Sequence, residues 1–207
     1  MMATWWKKAD TNPLNEANFQ KIINFYLFEC PCEIEQGSES KGNKRYTAVS
    51  KRGTTFRQKG WTGGNLNTLL SAMKKTDNGP LKYHVFSVGE DISAKTDTIE
   101  KECSLSDQHF EMVVMAERSD MNKTSSVFYY IRNALAHGSF CQVLSSRQKI
   151  YYFESTRKGK IYARIRLKET TLLKWIDYFN SSPQELKNSK KSNKSNIKNK
   201  KRTKKAK

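Results

Sequence analysis

The sequence is poor in the residues from which metal and cofactor sites are assembled, with three histidines and four cysteines among 207 residues. His84 and His109 have no H-x-x-x-H partner, and Cys30-Pro31-Cys32 is a C-x-C with no second pair at zinc spacing, so ordinary reduced thiols are expected and no metal. No G-x-x-x-x-G-K-[ST], G-x-G-x-x-G or G-x-S-x-G string occurs, which leaves nucleotide-cradling loops and serine hydrolases without support and calls for no cofactor. Trp61-Thr62-Gly63-Gly64 reads only as a flexible turn. Long apolar runs are missing as well. Nothing approaches the ~18 residues of a membrane span, and Trp5-Trp6-Lys7-Lys8 is not followed by a signal-type apolar region, so a cytoplasmic protein without a membrane partner is expected.

Acidic residues are scarce too, with 20 Asp and Glu against 38 Lys and Arg, for a formal charge of +18. Residues 187–207 contain ten Lys, one Arg and no acid, which leaves +7 on residues 1–186. A basic body attracts polyanions by counterion release, without specifying which polyanion. What the chain does have is aromatic surface. Nine Tyr, ten Phe and four Trp supply enough flat apolar area for a packed core. Residues 1–186 are therefore expected to form one domain. The Lys-, Asn- and Ser-rich stretch 187–207 cannot offset its ordering entropy and is expected to be a disordered tail, either adding RNA affinity or aiding solubility.

Hydrophobic spacing predicts a first helix after Asn12-Pro13, carrying Phe19, Ile22, Ile23, Tyr26 and Leu27 and ending by Pro31. Arg45 to Ser50 and Thr54 to Gln58 read as a hairpin around Lys51-Arg52-Gly53. Asn65 or Asn67 caps a helix with Leu66, Leu69, Leu70 and Met73, stopped by Asn78-Gly79-Pro80, and Lys82 to Val88 reads as a strand. A helix over Ser106 to Arg118, with Phe110, Val113 and Val114 on one stripe, is expected to pair with a second from Asn122–Thr124 to Gly138 as an antiparallel hairpin. Phe140 to Leu144, Lys149 to Phe153 and Lys160 to Leu167 form a meander, with a turn at Arg157-Lys158-Gly159. A last helix spans Glu169 to Asn180, bounded by Pro183.

On a helix advancing 100° per residue, Phe128, Ile131 and Leu135 make an apolar arc, whereas Asn133 and His137 lie opposite with Ser126 and Tyr130. Arg132 falls between the arcs. Ala134 and Ala136 are small enough for a second helix to approach, including one from a partner subunit. His137 stands at the helix C-terminus, where exposed carbonyls favour the imidazolium. Arg132 offers planar donors to a phosphate. Such a string fits a solvated helix end with its C-terminal cation, and it also suits RNA cleavage, with His137 moving a proton at the 2′-hydroxyl or leaving oxygen, Arg132 holding the phosphorane charge and Asn133 orienting phosphate or imidazole. Lys44, Arg45, Arg52, Arg57 and Lys59 alternate with Tyr46, Phe56 and Trp61. That pattern fits a basic surface hairpin whose aromatics pack inward, and also an RNA-binding platform.

Tyr130-Ile131-Arg132-Asn133-Ala134-Leu135-Ala136-His137-Gly138 resembles the HEPN signature, and the downstream order through Tyr151-Tyr152-Phe153 and Ala163-Arg164-Ile165-Arg166-Leu167 is similar to small HEPN proteins of bacterial plasmids and defence loci. The strong likeness covers nine residues, with a looser one over about 106–180, and the first third of the chain is not covered. It implies an α+β, mainly α protein: a HEPN-type helical bundle with short antiparallel β-hairpins, a basic hairpin inserted near the N-terminus and the disordered tail. It further implies a homodimer with both motif copies in one cleft, and metal-independent ribonuclease activity leaving a 2′,3′-cyclic phosphate, in a toxin-antitoxin, abortive-infection or phage-defence setting with a possible cognate antitoxin. The motif does not assign the family's acidic partner, for which Glu111 and Glu117 are candidates. A noncatalytic RNA-binding or dimerisation module and a DNA-binding regulator are the competing readings.

Overall fold

A computed structural model describes residues 16–36, 45–77, 79–87, 90, 92–104 and 110–188. At its centre, β5 (Lys82–Phe86), β6 (Met112–Ala116), β9 (Lys160–Lys168), β8 (Gln148–Arg157) and β7 (Phe140–Ser145) form a five-stranded sheet in the order β5-β6-β9-β8-β7. The β5/β6 pair is parallel and the remaining pairs are antiparallel. The fold is thus α/β, not the helical bundle that the HEPN resemblance implied.

The decisive difference is at Met112–Ala116, expected on a helix and found as strand β6, with all five residues buried. Val113 and Met115 face the main core while Met112, Val114 and Ala116 face a smaller one. A strand covered on both faces is apolar at every position and loses the alternation that marks a strand. The helix of this region lies earlier instead, as α3 (Ile92–Ser104), which joins the two parallel strands and packs Ile92, Ile99 and Cys103 against the smaller core. The expected helical hairpin is therefore a strand followed by a helix.

The opposite sheet face carries the other helices, and their apolar sides meet Tyr151, Phe153, Ala163, Ile165 and Leu167 in the main core. They are α1 (Ala17–Ile23), continued by a π-helical turn over Asn24–Phe28, then α2 (Gly64–Met73), α4 (Lys123–Ala136) and α5 (Glu169–Asn180). Phe128 of α4 is the hub, fully buried, with ring centroids of Phe56 at 5.3 Å, Tyr26 at 5.5 Å and Phe25 at 6.0 Å. Polar edges of the large rings are satisfied inside this core. Trp61 Nε1 donates to the Phe179 carbonyl at 2.9 Å, Trp175 Nε1 to Met73 at 3.2 Å and Tyr26 OH to Leu172 at 3.0 Å.

The expected hairpin between 45–50 and 54–58 does not form. Arg45–Ala48 (β2) pairs instead with β1 (Glu33–Gln36), and 54–58 is a turn in which Thr55 and Gln58 exchange side-chain-to-backbone bonds of 2.8 and 3.2 Å. The short pair β3 (Lys75–Thr76) and β4 (Gly79–Pro80) follows α2. The meander and last helix stand as expected, and a helical turn at 183–188 adds Leu186 to the core. Asn12-Pro13, Lys44, His109 and the tail 189–207 lie outside the described residues.

Candidate nucleic-acid site

Helix α4 begins at Asn122, whose side chain accepts from Ser125 N, and ends in a left-handed glycine cap. Gly138 has φ +65, Ser139 N donates to Ala134 O at 2.8 Å and Gly138 N to Leu135 O at 3.2 Å, a pattern that leaves His137 on the last helical corner. Leu66, β6 and β8 cover α4 on more sides than its apolar arc requires. Ser126 and Tyr130, expected on the open side with His137, are each 2% exposed. Tyr130 OH donates to Ala116 O at 3.1 Å, and burial pushes its phenol up to about 12, so Tyr130 is a neutral anchor below the surface.

The open part of α4 is consequently a narrow strip. Ala136 and His137 are exposed, Tyr129 and Asn133 are half-buried, and Arg132 borders the strip on the side of the Cys30-Pro31-Cys32 segment. Asn133 Nδ2 donates to Ser155 Oγ of β8 at 3.3 Å. Arg132 Nε is buried with no hydrogen-bond partner, and no described carboxylate forms an ion pair with Arg132. Its charge is felt by the thiols of Cys30 and Cys32. Burial works against ionisation of Cys30, but hydrogen bonding with Cys32 and the Arg132 charge outweigh it and hold that thiol below its ordinary value; burial first, then Cys30, drives Cys32 well up. Both cysteines also touch α4 backbone, Cys32 Sγ at 3.1 Å from Ser125 O and Cys30 Sγ at 4.0 Å from Phe128 O.

The predicted RNA-binding platform is dispersed. Phe56 and Trp61 turn into the core at 3% and 1% exposure, the inward-packing alternative for that segment. Arg52 is exposed, its guanidinium 5.8 Å from the Phe28 ring, so it borders the same Phe28–Cys32 segment that Arg132 faces. Gly53 lies against the Glu29 backbone so closely that a Cβ would overlap the Glu29 carbonyl. Arg57 pairs with Glu33 at 3.7 Å beside a cleft of about 400 Å³, which is also lined by Thr62, Asp120, Asn122 and Ser125. That cleft lies at the opposite end of α4, about 20 Å from His137 at 1.5 Å per helical residue. Lys59 is half-buried in the turn leading to Trp61, and Arg45 is placed by its backbone in β2 alone. Glu111 is buried and accepts from Lys168 N, while Glu117 is exposed beyond β6; neither has a described contact with Arg132 or His137.

Two neighbours of the motif were not legible locally. Ser155 is 22 residues from Asn133 and meets it only because β8 crosses beneath α4. Cys30 and Cys32 carry a recognisable C-x-C, but nothing in the sequence places that pair against the α4 backbone. Among the described residues no helix is long and apolar enough to cross a membrane. No family model matches the sequence, and no curated protein or solved structure is significantly similar to it. The HEPN resemblance therefore rests on the motif and the order of elements after it.

Proposed function

We propose that the chain is an RNA endonuclease whose reacting groups are Arg132 and His137, with Asn133 as their orienting neighbour. The observation that carries this reading is an arginine with no ion-pair partner among the described residues and an exposed histidine flanking a strip of α4 on which Ala136 offers no obstruction. The ribose 2′-oxygen attacks phosphorus, the 5′-oxygen leaves, and the products are a 2′,3′-cyclic phosphate and a 5′-hydroxyl. His137 takes or returns the proton. Arg132 steadies the charge that builds on the non-bridging oxygens. The basic body, +7 over residues 1–186, draws the strand in. A second copy laid across the small Ala136 side chain would close the open strip into a cleft, with both motifs facing the substrate.

A noncatalytic RNA-binding module is the second reading, favoured by the burial of Arg132 Nε. Labelled RNA incubated in EDTA separates the two. The endonuclease cuts and leaves cyclic phosphate ends, and Arg132→Ala and His137→Ala abolish cutting while keeping the thermal transition of the parent. RNA that is bound and left whole by the parent protein selects the second reading. Stronger salt-matched binding to duplex DNA than to RNA overturns both.

A further inference from the structure

The tip of the β8–β9 hairpin is a compact cationic feature that the motif does not include. Arg157, Lys158 and Lys160 are all exposed around Gly159, and Arg157 pairs with Lys160 to close a two-residue turn. The nearest preceding carboxylate in β8, Glu154, spends its charge on Arg164 at 2.9 Å. The tip is tied to α4 from below. Ser155 accepts the Asn133 hydrogen bond, and Arg157 follows two residues, about 7 Å, further along the strand. Pairing shifts from Ser155↔Ala163 to Thr156↔Ile161, which leaves Tyr162 as a bulge that bends the hairpin just before its tip.

The turn conformation adds an independent point. Lys158 has φ 50 and Gly159 φ 74, the left-handed pair of a type I′ hairpin, in which asparagine is the comfortable residue at the first position. Lysine there carries backbone strain that a shorter polar residue relieves.

We propose that Arg157, Lys158 and Lys160 form a phosphate-binding lip that holds the backbone of single-stranded RNA beside Asn133 and His137. The inference rests on the RNA reading above and assigns the residues that position the strand. Three cations on one rigid hairpin grip successive phosphates without reading base identity.

The molecule contains its own control. The β7–β8 turn also holds a cation in a left-handed position, Arg147 with φ 67, at the far end of β8, about 30 Å away at the rise of an extended strand. Lys158→Asn and Arg147→Gly each remove one positive charge and each relieve a strained turn, so both variants should melt at or above the temperature of the parent. The test is titration of a fluorescent single-stranded RNA bearing 2′-O-methyl riboses, which cannot cleave, across a range of salt concentrations. Lys158→Asn should weaken binding several-fold and Arg147→Gly should not. The triple variant Arg157→Gln, Lys158→Asn, Lys160→Gln should lower the slope of log affinity against log salt by about 2, at roughly 0.7 per single-strand phosphate contact. Equal losses for the two single variants reduce the lip to net charge and overturn it, as does an unchanged slope in the triple variant while the parent still cuts unmodified RNA. A parent protein that neither binds nor cuts RNA overturns the RNA reading itself.

Discussion

Asn133 donates from its carboxamide to Ser155 Oγ at 3.3 Å, joining the open strip of α4 to the end of β8 across 22 residues of sequence. In the chemistry proposed above Asn133 is the orienting group, and because this bond holds its amide, Ser155→Ala should lower the turnover number for RNA cleavage while leaving KM near its parent value. The fold should lose only about 1 kcal/mol, the usual net value of one partly buried hydrogen bond. Steady-state kinetics beside chemical denaturation checks this. A loss of stability with turnover intact would make the bond structural alone.

The aromatic hub has a larger expected effect. Phe128 is fully exclosed from solvent among Phe25, Tyr26, Phe56 and Trp175, so Phe128→Ala leaves a cavity that rigid rings close poorly. The expected cost is about 3–5 kcal/mol by denaturant unfolding, and a cost below about 1 kcal/mol would contradict the packing described.

Much of this arrangement was legible in the sequence, for reasons that differ by element. The β7–β9 meander and α5 follow from alternation, turn residues and a single apolar stripe. The β6 strand did not, because both of its faces are buried and Val113-Val114 fits a helical stripe as well as a strand. Helix α3 has no clear apolar stripe in the sequence, because its inward face alternates Ile92 and Ile99 with a buried Thr96 and with Cys103. In the 44–61 region the cations alternate with aromatics as on a binding platform. Tertiary packing instead drew Phe56 and Trp61 inside, and no local pattern records that choice.

Acid should probe the junction of α1 with the sheet. Glu16 sits 2.5 Å from Lys149, and that hydrogen bond, with one from Gln142, holds its carboxyl below the ordinary value while the Lys149 ammonium is held above its own. A depressed carboxyl contributes stability above its unfolded pKa and loses it as pH falls through the folded value. A raised ammonium contributes below its unfolded pKa and loses it as pH rises through the folded one. Glu16→Gln should therefore flatten the acid limb of the stability profile, less so in high salt, since the pair is partly solvated. Identical acid limbs for parent and variant would remove the pair from the account.

Ala136 is exposed and carries no packing role, so Ala136→Trp should alter stability by no more than about 0.5 kcal/mol. In the homodimer proposed above the bulky ring should nevertheless block the second helix, shifting sedimentation toward the 24.0 kDa monomer and reducing cleavage. A variant that remains dimeric and cuts normally places the subunit contact elsewhere.

The proposed chemistry needs both a ribose hydroxyl and the His137 imidazole. The most direct measurement compares cleavage in EDTA of one oligonucleotide, made as RNA and with a single 2′-deoxy residue at the cut position, by the parent protein and by His137→Ala of equal thermal stability. A cyclic phosphate product is expected only from RNA with the parent protein. Cutting of the deoxy-substituted strand, or undiminished cutting by His137→Ala, would contradict it.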